Sequence, residues 1–154
     1  MEAPILFVDF DGVLRRLHGP PDQLEAALVT NLETFMRRFS RLQGVFSTSW
    51  RLYNNLDQLR ARLPAPLRAR FIATTPELIQ HGMASRHSEI LAWRRAAGHR
   101  GVWVAIDDRP AEFPDHCAQL CVCDPHRGFD HETLERCAKQ LLGLTLERLA
   151  RRAE

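Results

Sequence analysis

The stretch "ILFVDFDGVL", Ile5–Leu14, sets four apolar residues against Asp9 and follows them with Asp11 and Gly12. A short apolar run bounded by turn formers reads as a strand buried on both faces, the kind that parallel sheets contain. Two carboxylates at the end of such a strand need a reason. Either they form an Asp-rich turn that caps the next segment, or they face a partner of opposite charge.

Similar runs recur along the chain. Val45–Thr48, Phe71–Ala73, Val102–Ile106 and Leu120–Val122 read as further strands. Between the first two strands, Leu24, Leu28, Leu32, Phe35, Phe39 and Leu42 repeat in steps of four and three, which predicts an amphipathic helix. Asp22 and Glu25 have the spacing of a capping box at its start. A second helix runs through Leu56, Leu59 and Leu63 and ends before "PAP". A third begins near Ser85, carries Ile90, Leu91 and Ala97, and stops at Gly98. The chain closes in helix from about His131, with a break expected around Gly143. Strands alternating with helices predict a doubly wound α/β domain, a parallel sheet of about five strands covered on both faces.

Composition sets the outer limits. The chain has 154 residues, 45% hydrophobic and 26% charged, which suits one globular domain over residues 1–154 and excludes a disordered tract. Its net charge of +2 gives no support of its own to nucleic-acid binding and does not forbid an anionic substrate. Arginine dominates the basic residues, Lys139 being the only lysine. No apolar run approaches the ~20 residues of a membrane helix. The opening "MEAPILFVDF" has an acid where a signal peptide would be basic, so a cytoplasmic protein is expected, with no membrane partner. Cys117, Cys121, Cys123 and Cys137 then read as reduced thiols. Cys121 and Cys123 alternate as same-face strand residues, and no C-x-x-C pair marks a zinc site. His81, His87, His126 and His131 have no spacing that marks a nucleophile–base pair.

In doubly wound sheets ligands bind beyond the carboxyl ends of the strands. Those ends here read "DFDG", "STSWR", "TTP", "DDRP" and "CDPHRG". A second acid pair, Asp107 and Asp108, therefore shares a sheet edge with Asp9 and Asp11. Two such clusters repel unless a cation lies between them, and hard oxygen ligands with room for water and phosphate suit Mg2+.

With both acid pairs in order, the chain resembles the haloacid dehalogenase superfamily over about residues 4–130. "DFDGVL" fits that family's first motif at every position, "VFSTSW" its second, and "AIDDRP" its fourth. The resemblance implies an Mg2+-dependent phosphohydrolase in which Asp9 attacks phosphorus and Asp11 protonates the leaving oxygen, then activates water. It implies that Asp9, the Asp11 carbonyl and Asp107 hold the metal, with Asp108 close by. For the second motif Thr48 is preferred as the phosphate-binding hydroxyl, with Ser47 and Ser49 as neighbours able to take that role. The third motif is usually lysine, but Lys139 is out of order. Arg86, at the start of the third helix, is the best candidate, ahead of Arg94 and Arg95.

Trp50 and Arg51 either flank the substrate, with Arg51 adding a forked phosphate contact, or pack beneath a loop and into solvent. Neither Arg15–Gly44 nor Leu52–Ser85 has room for a separate cap domain. Asp9, Asp11, Thr48, Arg86 and Asp107 should thus face solvent. An open site of this family suits a phosphomonoester on a macromolecule, a nucleic-acid end or a phosphoprotein. "STSWR" also looks like the compact members of the superfamily found in RNA-repair settings. A catalytically silent phosphate-binding module and a phosphotransferase to an acceptor other than water remain alternatives.

Overall fold

Parity along the first strand organises the fold. In a computed structural model of the chain, which describes residues 1–78 and 85–154, β1 (Ile5–Val8) is buried at all four positions. Leu6 and Val8 point into the larger core cluster, while Ile5 and Phe7 point into a second, smaller one. Consecutive side chains of a strand face opposite ways, so a strand apolar throughout must be covered on both sides.

β1 is the middle strand. It pairs in parallel with β2 (Gln43–Phe46) on one side and β4 (Trp103–Asp107) on the other. β3 (Phe71–Thr74) and β5 (Leu120–Val122) complete an all-parallel sheet in the order β3-β2-β1-β4-β5. The chain winds outward from β1 to β3, then returns to lay β4 beside β1. The reversal of strand order therefore falls between β1 and β4, where doubly wound sheets open a crevice.

α1 (Ala26–Arg38) and α5 (His131–Ala153) cover one face together with α2 (Leu56–Ala61) and α3 (Ala65–Arg68). Leu32, Phe35, Leu59, Leu67, Leu134 and Leu141 fill that side of the core. α4 (Ser85–Ala97) lies on the other face, with Ile90 packed among Phe7, Val45 and Trp103. The expected α/β architecture is present. Among the described residues the intervals after β1 and β2 hold only these helices and β3, and no separate cap. No described helix is long and apolar enough to cross a membrane. His81 lies outside the described residues.

Several boundaries differ from expectation for local reasons. β2 ends at Phe46, because Thr48 turns its hydroxyl back to cap a 3-10 turn over Ser49–Leu52. β4 runs one residue later than the pattern suggested and includes Asp107. "PAP" does not only end α2: Pro64 caps α3 and the next proline enters its first turn, where a missing N–H costs nothing. The capping box at Asp22 and Glu25 does not form. Glu25 caps α1 by backbone alone, since Arg16 engages its carboxylate through its N–H, Nε and Nη2 at 2.5, 2.8 and 2.6 Å. Cys121, Cys123 and Cys137 are core residues.

α5 passes through Gly143 without a break. A Cβ there would meet nothing within 4 Å, and no positive φ is needed, so glycine contributes only its unfolded-state freedom. Gly143→Ala should therefore raise unfolding stability by about 0.5–1 kcal/mol, read from urea denaturation.

Candidate active site

Register and parity together assemble the site. Val8 lies level with Phe46 of β2 and Ile106 of β4, which sets Asp9 level with Ser47 and Asp107 one step further. The Ser47 N–H donates to the Val8 carbonyl at 2.8 Å, and the Asp9 N–H to that of Ile106 at 3.2 Å. Asp9 continues the parity of Ile5 and Phe7, Ser47 that of Val45, and Asp107 that of Trp103 and Ala105. All three turn toward the face covered by α4, and α4 brings Arg86 to meet them.

Arg86 Nη1 lies 3.3 Å from Asp9 Oδ1 and 3.3 Å from Asp107 Oδ2, and also donates to the Ser47 carbonyl. Arg86 is 6% exposed, Asp9 3% and Asp107 1%. Asp108 completes the cluster: one carboxylate oxygen from each of Asp9, Asp107 and Asp108 lies within 4.8 Å of the others. Three buried or half-buried carboxylates thus share one guanidinium.

The charge deficit shows in their proton affinities. Burial, with Asp107 and Asp108 adding repulsion, holds Asp9 well above the usual carboxylate range despite Arg86. Burial pushes Asp107 up to about 7, opposed chiefly by Arg86. Asp108 is raised by burial too. Among the described residues, Asp108 Oδ1 is buried without a hydrogen-bond partner. An orphaned carboxylate oxygen beside two more acids is a donor set suited to a hard divalent cation such as Mg2+.

Gly12 allows the two acid pairs to meet. Its φ of 77° is left-handed, and a Cβ at that position would fall 2.2 Å from Asp108 Oδ2. The turn it sits in is closed by the Gly12 N–H to the Arg15 carbonyl at 2.7 Å and by three N–H donors on the Phe10 carbonyl. Asp11 leaves this turn with its side chain 40% exposed. Arg15 Nη1 approaches Asp11 Oδ1 at 3.2 Å, and Trp50 Nε1 donates to Oδ2 at 3.0 Å.

The solvent-facing mouth expected of Asp9, Asp11, Thr48, Arg86 and Asp107 is found at Asp11 alone. The other four are nearly closed off, because the helical cover on both faces reaches the strand ends. Thr48 is fully buried, and its Oγ1 accepts from the Trp50 N–H at 3.2 Å as a cap. Ser47 Oγ, by contrast, is buried with no partner among the described residues. Ser49 begins the 3-10 turn.

Arg51 is not available as a phosphate fork. It is ion-paired with Glu89 of α4, both side chains about nine-tenths buried, and its Nη1 donates to the Thr48 carbonyl at 2.8 Å. Glu89 was invisible as a partner in the sequence, although it stands three residues after Arg86 and so shares its side of the helix. Trp50 is 9% exposed, packed edge-on against Phe10 with ring centroids 5.1 Å apart and covered by Arg62. Arg94 and Arg95 sit in the last turn of α4, away from the acids. His87 lies near Trp103 and Phe113, and burial lowers its pKa.

The raised carboxyls have a testable consequence. A carboxyl whose folded pKa lies above its unfolded value stabilises the fold at low pH, and that contribution is lost as pH rises through the folded pKa. For Asp107 the window runs from about 4 to about 7. A cation bound by the same oxygens competes with those protons. Millimolar Mg2+ should therefore raise the melting temperature clearly at about pH 8 and little at about pH 5.5, followed by circular dichroism. An equal shift at both would mean that the ion acts elsewhere.

The sequence matches the family described as "HAD domain in Swiss Army Knife RNA repair proteins" over residues 5–134. A solved crystal structure aligns over 94% of this chain and 82% of its own, at 14% identity and a TM-score of 0.41. No protein of curated function matches the sequence. The matched span runs from the start of β1 into α5 and takes in every residue of the site. On that match the chain belongs to the family of HAD domains found in Swiss Army Knife RNA repair proteins, a compact branch of the haloacid dehalogenase superfamily.

Proposed function

We propose that this chain is a phosphohydrolase that works through an aspartyl-phosphate on Asp9 and depends on Mg2+. The observation that carries the reading is the row Ser47, Asp9 and Asp107 under Arg86, with Asp108 alongside and its Oδ1 unpartnered. Asp9, Asp107 and Asp108 would hold the cation, which when bound supplies the positive charge that lets a phosphate approach these acids.

The remaining steps belong to the chain's own side chains. Asp9 Oδ1 already receives the Phe10 N–H at 2.7 Å and faces Arg86, which leaves Oδ2 to attack phosphorus. As that bond forms, the bond to the leaving oxygen breaks, and the Asp11 carboxyl delivers its proton there. Asp11, now a carboxylate, takes a proton from water as the water's oxygen attacks the same phosphorus, releasing phosphate and restoring Asp9. The Ser47 hydroxyl, free of other duties, donates to a phosphoryl oxygen, a role the sequence reading gave to Thr48. Arg86 holds Asp9 in place and adds positive charge on that flank.

The substrate we infer is a phosphomonoester at the end of a macromolecule. Among the described residues no separate cap encloses a small metabolite. Asp11 is more exposed than Asp9 and Asp107, which suits a terminal phosphate projecting from a longer chain. The family's setting in RNA repair proteins favours a polynucleotide end over a phosphoprotein. Asp9→Asn should abolish Mg2+-dependent aryl-phosphate hydrolysis while leaving circular dichroism unchanged. Among 3′- and 5′-phosphorylated oligonucleotides, phosphopeptides and sugar phosphates, kcat/KM should be highest on an oligonucleotide. Wild-type turnover by Asp9→Asn would overturn the mechanism. Micromolar KM on a sugar phosphate would overturn the substrate class. Binding without turnover across the panel would indicate a silent module, and transfer to added alcohols a phosphotransferase.

Trp50 tests the role of Asp11 separately. Trp50→Phe keeps an aromatic ring beside Phe10 and removes the N–H held by Asp11 Oδ2, together with part of the indole beneath Arg62. Loss of one orienting bond on the proton donor should lower kcat by roughly 10- to 100-fold with KM little changed. A packing defect alone would lower the melting temperature without this split between kcat and KM.

A further inference from the structure

A second concentration of charge lies at the opposite edge of the sheet. Arg94 near the end of α4, Arg100 in the turn before β4, and Arg148 and Arg151 on one side of α5 line a cavity of about 250 Å3. Its lining includes Gly101, just before β4, and Trp103, which begins that strand, whereas Asp107 ends it. Four residue steps at ~3.3 Å each separate the two ends by roughly 13 Å along the strand. An anion in this cavity is therefore not the phosphate under attack at Asp9.

Three separate parts of the chain bring these guanidinium groups together, and little opposes them. Glu147 is the one acid in the lining, and Glu2 lies next to it, its carboxylate taken by the Arg100 N–H at 3.0 Å. Arg94 spends two donors internally, Nε on His99 at 3.3 Å and Nη2 on the Gly101 carbonyl at 3.0 Å, and its guanidinium lies over the Trp103 ring. Among the described residues no ion pair engages Arg94, Arg100, Arg148 or Arg151, although twelve form elsewhere. Burial lowers the pKa of Arg94, and Arg148 adds to this by repulsion while Glu2 opposes it.

Like charges gathered in a concave site cost free energy unless an anion is drawn in. Guanidinium forks match phosphate oxygens two at a time, better than they match a halide. The volume is too large for a lone phosphate and just below the ~300 Å3 at which drug-sized ligand pockets begin. Gln119 offers an amide beside the charged groups, and Val102 and Leu144 give an apolar wall.

We propose that this cavity binds a phosphate-bearing anion of nucleotide size, either a free nucleotide or one unit of a polynucleotide backbone. It goes beyond the hydrolytic reading and does not depend on it. With a polynucleotide, the pocket would grip backbone phosphates away from the processed end.

The test uses the whole chain without Mg2+ at near-physiological salt, reading intrinsic tryptophan fluorescence and calorimetry. One arm titrates ADP, and the other a single-stranded oligonucleotide with no terminal phosphate. Binding in either arm is expected to weaken at least tenfold in Arg148→Glu/Arg151→Glu and to survive in Arg148→Lys/Arg151→Lys. For the oligonucleotide, two lost contacts should reduce the slope of log K against log salt by about 1.4, at ~0.7 per phosphate on a single strand. Hydrolysis of a small aryl phosphate should stay unchanged in the charge-reversed variant, which separates failure of this pocket from failure of the site at Asp9. Arg100→Glu, an exposed change in a turn, repeats the test should the double variant fold poorly. Binding of ADP alone assigns a nucleotide pocket, and binding of the oligonucleotide alone assigns a backbone clamp. No binding in either arm, or equal binding by wild type and the charge-reversed variants, overturns the proposal.

Discussion

Arg86 carries a single positive charge into a space shared by Asp9, Asp107 and Asp108. Removing that many carboxylates from water without more compensation is costly, and the upward pressure on their pKa values measures the cost. Nothing about the packing of this domain demands such an arrangement, since apolar residues at those positions would close the strand ends more cheaply. The imbalance is retained at the reversal of strand order, and the neighbouring structure is built to tolerate it. Gly12 gives up its side chain for Asp108, Ser47 keeps a hydroxyl unpaired among the described residues, and α4 starts where it can present Arg86.

The elements around that space form a frame with few free joints. Asp11 is held by Trp50, Trp50 shares a 3-10 turn with Arg51, and Arg51 is ion-paired with Glu89 one helical turn beyond Arg86. Asp11 and the helix that carries Arg86 are linked through one short path of contacts. Buried pairs of this kind add little net stability, but removing one partner leaves a charge stranded. Their use here is positional.

Much of this was legible in the chain. Strand alternation and the residues ending each apolar run located Asp9, Asp11, Asp107 and Asp108, because a parallel sheet gathers its strand ends at one edge. Arg86 followed from its place at a helix start. What stayed hidden depended on three-dimensional pairing. Ser47 and Thr48 are both hydroxyl residues at the end of β2, and only the register with β1 decides which faces the acids. Arg51 read as either a phosphate ligand or a solvated side chain, because Glu89 lies 38 residues away. The Asp22–Glu25 spacing suggested a cap, but Arg16 competes for the same carboxylate. Gly143 looked like a break because sequence alone does not reveal how firmly α1 and the sheet hold the first half of α5.

The central position of β1 also sets an order of events. Its first neighbour, β2, follows within 40 residues, but β4 enters the sheet only after most of the chain has been made. Asp9 and Asp107 stand 98 residues apart in sequence, so their meeting closes a long loop, the slow and entropically costly kind of contact. The half-sheet β3-β2-β1 can form while Asp9 still faces water and keeps an ordinary carboxylate's hydration. The electrostatic burden comes with β4, the strand that also brings the remaining acids, and the apolar burial of β4 against β1 is available to offset it. Assembly of the acid cluster and pairing of β4 with β1 are thereby made the same step.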